Sequence, residues 1–499
     1  MNNRETIAVI WLKRDLRLED NEAIFNALST QKRAILIYVF EQILLQDPHY
    51  SERHFNFIKE SLIDLNKRLK KYNTKVLTVE SDMVNVFNLL QSRFKIEHLF
   101  SHKETGLKIT YERDKNITRY CRNNLIDWIE NDSNGVKRGL QDRNNWFENW
   151  NAYMVAPPFK CNPSSNQFLS ITTIESLEQL FKIPDLQTPE SSYFQKGGTT
   201  MAWRYANTFF ETRYKNYMFN ISKPELSRTS CSRLSPYIAW GNVSVRQIYL
   251  KGAQVKQASS NKRHLGAFLS RLRWQAHFIQ KFEMEHTMEN ASVNKGYHRL
   301  KKSISKVYIE AWKHGQTGLP LVDASMRCLN TTGYLNFRMR AMLVSFFTHI
   351  LWQPWQEATT HLSQMFLDFE PGIHFPQLQM QAGETGINNL RIYNPIKNGI
   401  EHDPEASFIK KWVPELAHLD THFAHEPYTM TPLEQKFYNF KLEQDYPLPI
   451  VDIKLNRKNA SDVLWNMKKH PAVKKESLRI LKKHTLDDRT KMLRDARNT

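Results

Sequence analysis

The hydrophobic pattern changes character twice along the chain. Short apolar runs rich in β-branched and aromatic residues recur at 7–12, 34–40, 75–79 and 96–100, with the length and composition of buried strands. Between them, 55–69 and 83–94 place apolar side chains at helical spacing. Strand and helix in alternation predict an open parallel α/β sheet, and Asp20 or Asn21 is expected to cap the helix after the first strand. From about 131 to 199 the pattern dissolves into Asn-, Ser-, Pro- and Gln-rich text, in which Trp146, Phe147, Trp150 and Tyr153 are the apolar anchors. After Gly197 and Gly198 the chain turns helical and stays so. The expected architecture is a Rossmann-like α/β domain over 1–135, a long loop-dominated linker over 136–198 and an all-α domain over 199–499.

In the helical half, Leu335, Met339, Met342 and Phe346 recur at three- and four-residue steps after a break at Gly333. Two charges interrupt this apolar text: Arg340 within the periodic run, and Asp368 directly after Met365, Phe366 and Leu367. An ionised group out of water needs a partner, so these two are expected to pair. Pro371, Gly372, Pro376 and Gly383 predict an end to helical structure and an irregular wall lining a site.

Composition adds a strong charge bias. At 499 residues the chain is long enough for about two domains, and its formal charge of +19 favours polyanionic partners. The segment from Lys454 onward is Lys/Arg-rich around sparse apolar residues, which reads either as a solvated amphipathic helix or as an arm that touches nucleic acid. Cys121, Cys161, Cys231 and Cys328 are scattered, with no C-x-x-C pair, which argues against a metal site or a disulfide scaffold and for a reducing compartment. No leader opens the chain and no apolar run approaches 18 residues, so a cytoplasmic protein without a membrane partner is expected. The first βα turn reads Lys13-Arg14-Asp15-Leu16-Arg17 where dinucleotide-dependent oxidoreductases carry a glycine fingerprint, which disfavours that class. Its basic side chains are expected either to meet phosphates or to form a solvated loop. In 228–235, RTSCSRLS, hydroxyls surround Arg233 just before a predicted helix over 236–240. That suits a pyrophosphate, or merely a serine-rich helix cap.

Several ordered motifs then converge. TG-x-P-x-VDA-x-MR starts at Thr317, TG-(aromatic)-x-x-x-R-x-R at Thr332, an acid pair stands at Asp368 and Glu370, and RIYNP begins at Arg391. With WLKRDLRLEDN from Trp11 to Asn21, this order resembles the photolyase/cryptochrome family, as an atypical bacterial-type member. The resemblance implies a bent FAD in the helical domain. Its diphosphate would lie on Cys231, Ser232, Arg233, Leu234 and Ser235, where Cys231 replaces the threonine of the family's T-S-R-L-S element, with Tyr217 as a further contact. Arg340 and Asp368 would flank the flavin ring, with Glu370 nearby. His374 falls where relatives face flavin N5 with Asn, Asp or Cys; an imidazole there could donate or accept a hydrogen bond and change charge near neutral pH. Trp274 would help form the wall against which an extruded pyrimidine dimer stacks. Arg271, placed beside the cofactor and the substrate, replaces a glutamate that hydrogen-bonds the lesion in dimer-repairing relatives. Met380 stands for a second substrate-facing tryptophan, and Ala341 for a methionine. Of the family's three-tryptophan relay only the middle place is kept, by Trp355, while Leu378 and Lys302 occupy the others. Trp352, Tyr393 or Trp274 would have to offer another path.

The activity implied is blue-light-driven repair of cyclobutane pyrimidine dimers by a monomer acting on UV-damaged DNA, with Trp274, His374 and Trp355 as the catalytic set. No metal is called for, and the antenna chromophore is left open. A cryptochrome-like photoreceptor and a (6-4) photoproduct photolyase are the alternatives.

Overall fold

The computed structural model describes residues 4–191 and 193–485. Five parallel strands form one sheet: β1 (Thr6–Leu12), β2 (Arg33–Glu41), β3 (Leu77–Ser81), β4 (Lys95–His102) and β5 (Asp127–Asn131), in the order β3-β2-β1-β4-β5. On β1, the central strand, Ile10 lies opposite Leu36 on one side and Phe100 on the other. The alternation of β1 sends its side chains to two layers. Ile7, Val9 and Trp11 join a core with α3 (Met83–Arg93), α4 (Lys108–Asn123) and α6 (Ile171–Glu178). Ala8, Ile10 and Leu12 join a core with α1 (Glu22–Ser29), α2 (Glu52–Leu69) and much of the helical half. Because one face of the sheet is continuous with the helical core, the two halves are held by apolar burial rather than by the linker alone.

Asn21 is the cap of α1, accepting from the Ile24 amide at 3.1 Å. Asp20 adopts φ +53° and pairs with Arg246. The text expected as linker holds α5 (Trp146–Val155) and α6, with Trp146 and Trp150 buried. The basic turn differs from both expectations: Lys13, Asp15 and Arg17 are buried, His102 Nδ1 lies 2.7 Å from the Asp15 carboxylate, and Arg17 donates to the Gly241 carbonyl. Gly241, at φ +73°, lies so close that a Cβ would sit 2.1 Å from the Arg14 carbonyl oxygen. The turn is therefore the joint on which the helical half docks.

The helical half includes α7 (Ser235–Ala239), α8 (Lys262–Met284), α9 (Pro320–Thr332), α10 (Phe337–Ser345), α11 (Gln356–Met365), α12 (Pro371–Gln381), α13 (Pro395–His402), α14 (Ile453–Lys469) and α15 (Pro471–His484). Gly333 ends α9 in the left-handed conformation, as its position predicts. Asp323 of the VDA motif is fully buried and accepts from the Thr317 and Gly318 amides and from the Thr317 and Tyr446 hydroxyls. That signature is thus a fold staple. The irregular wall expected from Pro371 to Gly383 is instead a helix: Pro371 occupies the first turn of α12, where no amide is needed, and Pro376 is accommodated inside it. The basic C-terminal segment forms α14 and α15, and α15 is tied down by Arg479 and His484 on Glu285. The rest of that tail, 486–499, lies outside the described residues. No described helix is long and apolar enough to cross a membrane.

Candidate functional site

The site forms where α8, α10 and α12 meet the loop before α7. Arg340 projects from α10, Asp368 from the loop between α11 and α12, and Arg340 donates two hydrogen bonds of 2.9 Å each to the Asp368 carboxylate. Burial pushes the Asp368 carboxyl up, but the Arg340 guanidinium overrides it and holds the group below its usual range. Arg340 is also fixed by donation to the Leu335 carbonyl at 2.7 Å. The expected pairing is therefore present, as a bidentate clamp.

Next to it lies a cluster of cations around Cys231 and Ser232. Arg213 donates to the carbonyls of Thr229 and Cys231, and Arg233, at φ +60°, donates to Gln195 at 2.8 Å with its guanidinium 3.7 Å above the Tyr334 ring. The Arg271 guanidinium of α8 stands near the Tyr217 hydroxyl and favours its ionised form, although burial dominates and raises the tyrosine's pKa. Among the described residues no carboxylate pairs with Arg213, Arg233 or Arg271. Burial lowers the pKa of both Arg213 and Arg233, so these charges gain from an anionic ligand. Burial pushes the Cys231 thiol up to about 12, which keeps it neutral. Ser235 stands beside the Asp368 carboxylate, where it helps to lower that group's pKa, and so links the cluster to the clamp, next to the buried Leu234. A diphosphate on the cations and a polar ring edge on the clamp is the ligand these residues fit.

Glu370 is placed otherwise than expected. Its side chain accepts from Arg14 of the basic turn at 3.2 Å and caps α12 through the Gly372 amide, so it faces the sheet domain. Burial raises its pKa despite Arg14. His374 stands on α12, not on an irregular loop. Its Nε2 lies 3.1 Å from the Thr359 carbonyl, and rings of Phe369 and Phe375 flank it. Burial, with His49 nearby, lowers its pKa to about 3, which disfavours the expected charge change near neutral pH. A neutral imidazole against a carbonyl carries its proton on Nε2, which leaves Nδ1 as an acceptor only.

Trp274 lies on α8 one turn beyond Arg271, half-buried, with its ring 5.5 Å from that of His277. Met380, half-buried on α12, comes from the helix that crosses α8, where Gly372 sits against Ile279. Trp355 is fully buried: its indole N–H donates to Ser292, Ser292 donates to Glu384, and Lys302 pairs with Glu384 at 3.5 Å. Leu378 is core, and Trp352 lies under the Lys302 ammonium. Sequence reasoning missed Gln195, Arg213 and Tyr334, as well as the role of Arg14. Tyr334 directly follows the second TG signature and Arg14 lies in the amino-terminal motif, whereas Gln195 and Arg213 carry no local signal.

Comparison with known proteins decides what this geometry belongs to. A family model described as the FAD binding domain of DNA photolyase matches residues 268–466, and one described as DNA photolyase matches 8–137. The chain belongs to the photolyase/cryptochrome family. Within it, the chain is 33% identical over 265 residues to a deoxyribodipyrimidine photo-lyase of Alkalihalophilus pseudofirmus, covering 53% of this chain and 54% of that one. It is 25% identical to the cryptochrome DASH of Gloeobacter violaceus over 92% of its own length and 95% of that protein. The crystal structure of a Synechocystis cryptochrome superposes with a TM-score of 0.82 at 21% identity, covering 93% of this chain and 100% of that one, and so shares its fold. The helical half carries an FAD-binding domain of this family.

Proposed function

We propose that this family member is a light-driven photolyase that repairs cyclobutane pyrimidine dimers in UV-damaged DNA. The observation that carries the proposal is the Arg340–Asp368 clamp beside three cations without carboxylates. FAD, when bound, supplies the redox chemistry: reduced, it absorbs blue light and lends an electron to the dimer. The chain supplies the rest. Arg213, Arg233 and Arg271 neutralise the diphosphate, with Tyr217 beside Arg271. Asp368 stays ionised and holds the Arg340 guanidinium in one plane for the flavin ring. His374 offers its bare Nδ1, so at that edge it receives a hydrogen bond rather than donating one. Trp274 and Met380 form the wall for an extruded dimer, where stacking of a base on an aromatic is worth about 1–3 kcal/mol.

A photoreceptor of the cryptochrome type is the second reading. The presence of Arg271 near Tyr217 favours it, because a cation there cannot accept the hydrogen bond that a carboxylate would offer a lesion. The two are separated by illuminating anaerobically reduced protein with a dimer-containing oligonucleotide under blue light. Recovery of thymine absorbance is expected, and Trp274→Ala should weaken binding of damaged DNA roughly tenfold more than of undamaged DNA. No light-dependent recovery would leave the photoreceptor reading standing.

A further inference from the structure

Outside the cofactor site, an open groove of about 930 Å³ runs between the segment leading into α13 and the exposed face of α14. Ile392 and Asn394 form one wall. This wall is rigid, since the Ser345 hydroxyl at the end of α10 accepts from the Tyr393 amide at 3.0 Å. The other wall is a single helical stripe of Lys454, Arg457, Lys458 and Trp465. Asn456 fixes α14 from behind by donating to the Ile350 carbonyl at 2.8 Å.

The stripe is charged and its charges are uncommitted. Among the described residues Lys454, Arg457 and Lys458 form no ion pair and are exposed. Two acids share the groove: Asp452, whose carboxylate is engaged by the Leu455 amide, and Asp462. Lys468 adds a further cation 5.3 Å from the Trp465 ring. Trp465 is 47% exposed, although a tryptophan is costly to leave in water without a partner. From Lys454 to Trp465 the stripe extends about 16 Å at 1.5 Å per residue, the length of about five stacked nucleotides at 3.4 Å each.

We propose that this groove takes an unpaired nucleic-acid strand, its phosphates on Lys454, Arg457 and Lys458 and a base stacked on Trp465. Cations with an aromatic platform at one end form the combination that holds single strands without reading their sequence. The inference rests on the DNA-directed function above only for which strand arrives, because affinity for an undamaged strand needs neither light nor lesion.

The test uses the full chain and fluorescence anisotropy with an undamaged oligothymidylate over a range of salt. Trp465→Ala should weaken binding roughly tenfold and Trp465→Phe should retain most of it, as stacking requires. Lys454→Glu with Lys458→Glu should flatten the slope of log K against log salt by about 1.4, or about 0.7 for each phosphate that is no longer neutralised. Circular dichroism and bound FAD serve as the folding controls for these exposed positions. Wild-type affinity and salt slope in both the Trp465→Ala and the double variant would overturn the proposal, including in the case where the groove captures a protein instead. Loss of strand affinity in a protein that repairs nothing under blue light would sustain the groove and remove the photolyase reading. Repair with unaltered strand affinity would do the reverse.

Discussion

Arg340 and Asp368 form a pair whose separate charges would each be costly in the cavity and whose two hydrogen bonds offset that cost. His374, a few residues on, solves a similar problem by staying neutral. Its sign with pH follows from its folded value of about 3, set mainly by burial, against an unfolded value of about 6.5. The folded state holds the proton less tightly than the unfolded one. The stability this group contributes is therefore fully present above about pH 6.5 and is lost as the pH falls towards 3. His374→Asn has no such group to protonate, so its unfolding midpoint should fall less between pH 7 and pH 4 than that of the wild type. Parallel curves for the two proteins would mean that the imidazole is not buried neutral.

At the scale of elements, the decisive contact is the crossing of α8, which carries Trp274, and α12, which carries His374 and Met380. It depends on Gly372: a Cβ there would lie 2.9 Å from the Ile279 Cα, a backbone atom that cannot move aside cheaply. Gly372→Ala should therefore destabilise the protein by about 1–3 kcal/mol through overpacking and should lower the FAD bound after purification. An unshifted melting temperature with full FAD content would show that the helices can separate without harm. This crossing was not legible in the sequence. Proline rules read Pro371 and Pro376 as breakers, yet the first occupies a position that needs no amide and tertiary burial carries the second. By contrast, β1 and β2 were legible because they are apolar on both faces, and β3 and β4 because each holds a short apolar run. The fifth, Asp127–Asn131, is a half-exposed edge whose mixed composition gives no such run. The Arg340–Asp368 pair was legible for the same reason as the buried strands: a lone charge in apolar text announces a partner. Arg14 and Glu370 gave no such notice, being 356 positions apart and embedded in polar neighbours.

For the whole molecule, that last pair ties the sheet to the cofactor site. Arg14 leaves the carboxyl end of β1 and crosses to the helical half, where it donates to the Phe369 carbonyl at 3.0 Å and to Glu370, with Glu104 on its other side. Burial lowers its pKa, but Tyr50, Glu370 and Glu104 outweigh this and the guanidinium stays charged. It thus holds the loop that carries Asp368 and the cap of α12 in one position relative to the sheet. Arg14→Met keeps much of the volume but leaves Glu370 as a buried carboxylate without its cation, while Glu104 keeps Arg113. The expected cost is about 3–5 kcal/mol, the range for a buried pair broken on one side. Adding Glu370→Gln should return part of that loss, because it removes a stranded charge, so the two substitutions should be less than additive in a double-mutant cycle. Flavin absorbance should follow the same order, lowest in Arg14→Met and recovering in the double variant, if the sheet domain sets the geometry of the cavity. Thermal unfolding followed separately by far-ultraviolet ellipticity and by flavin release checks both quantities. Strict additivity, with flavin release unaffected, would show that the two halves dock by their shared apolar core alone.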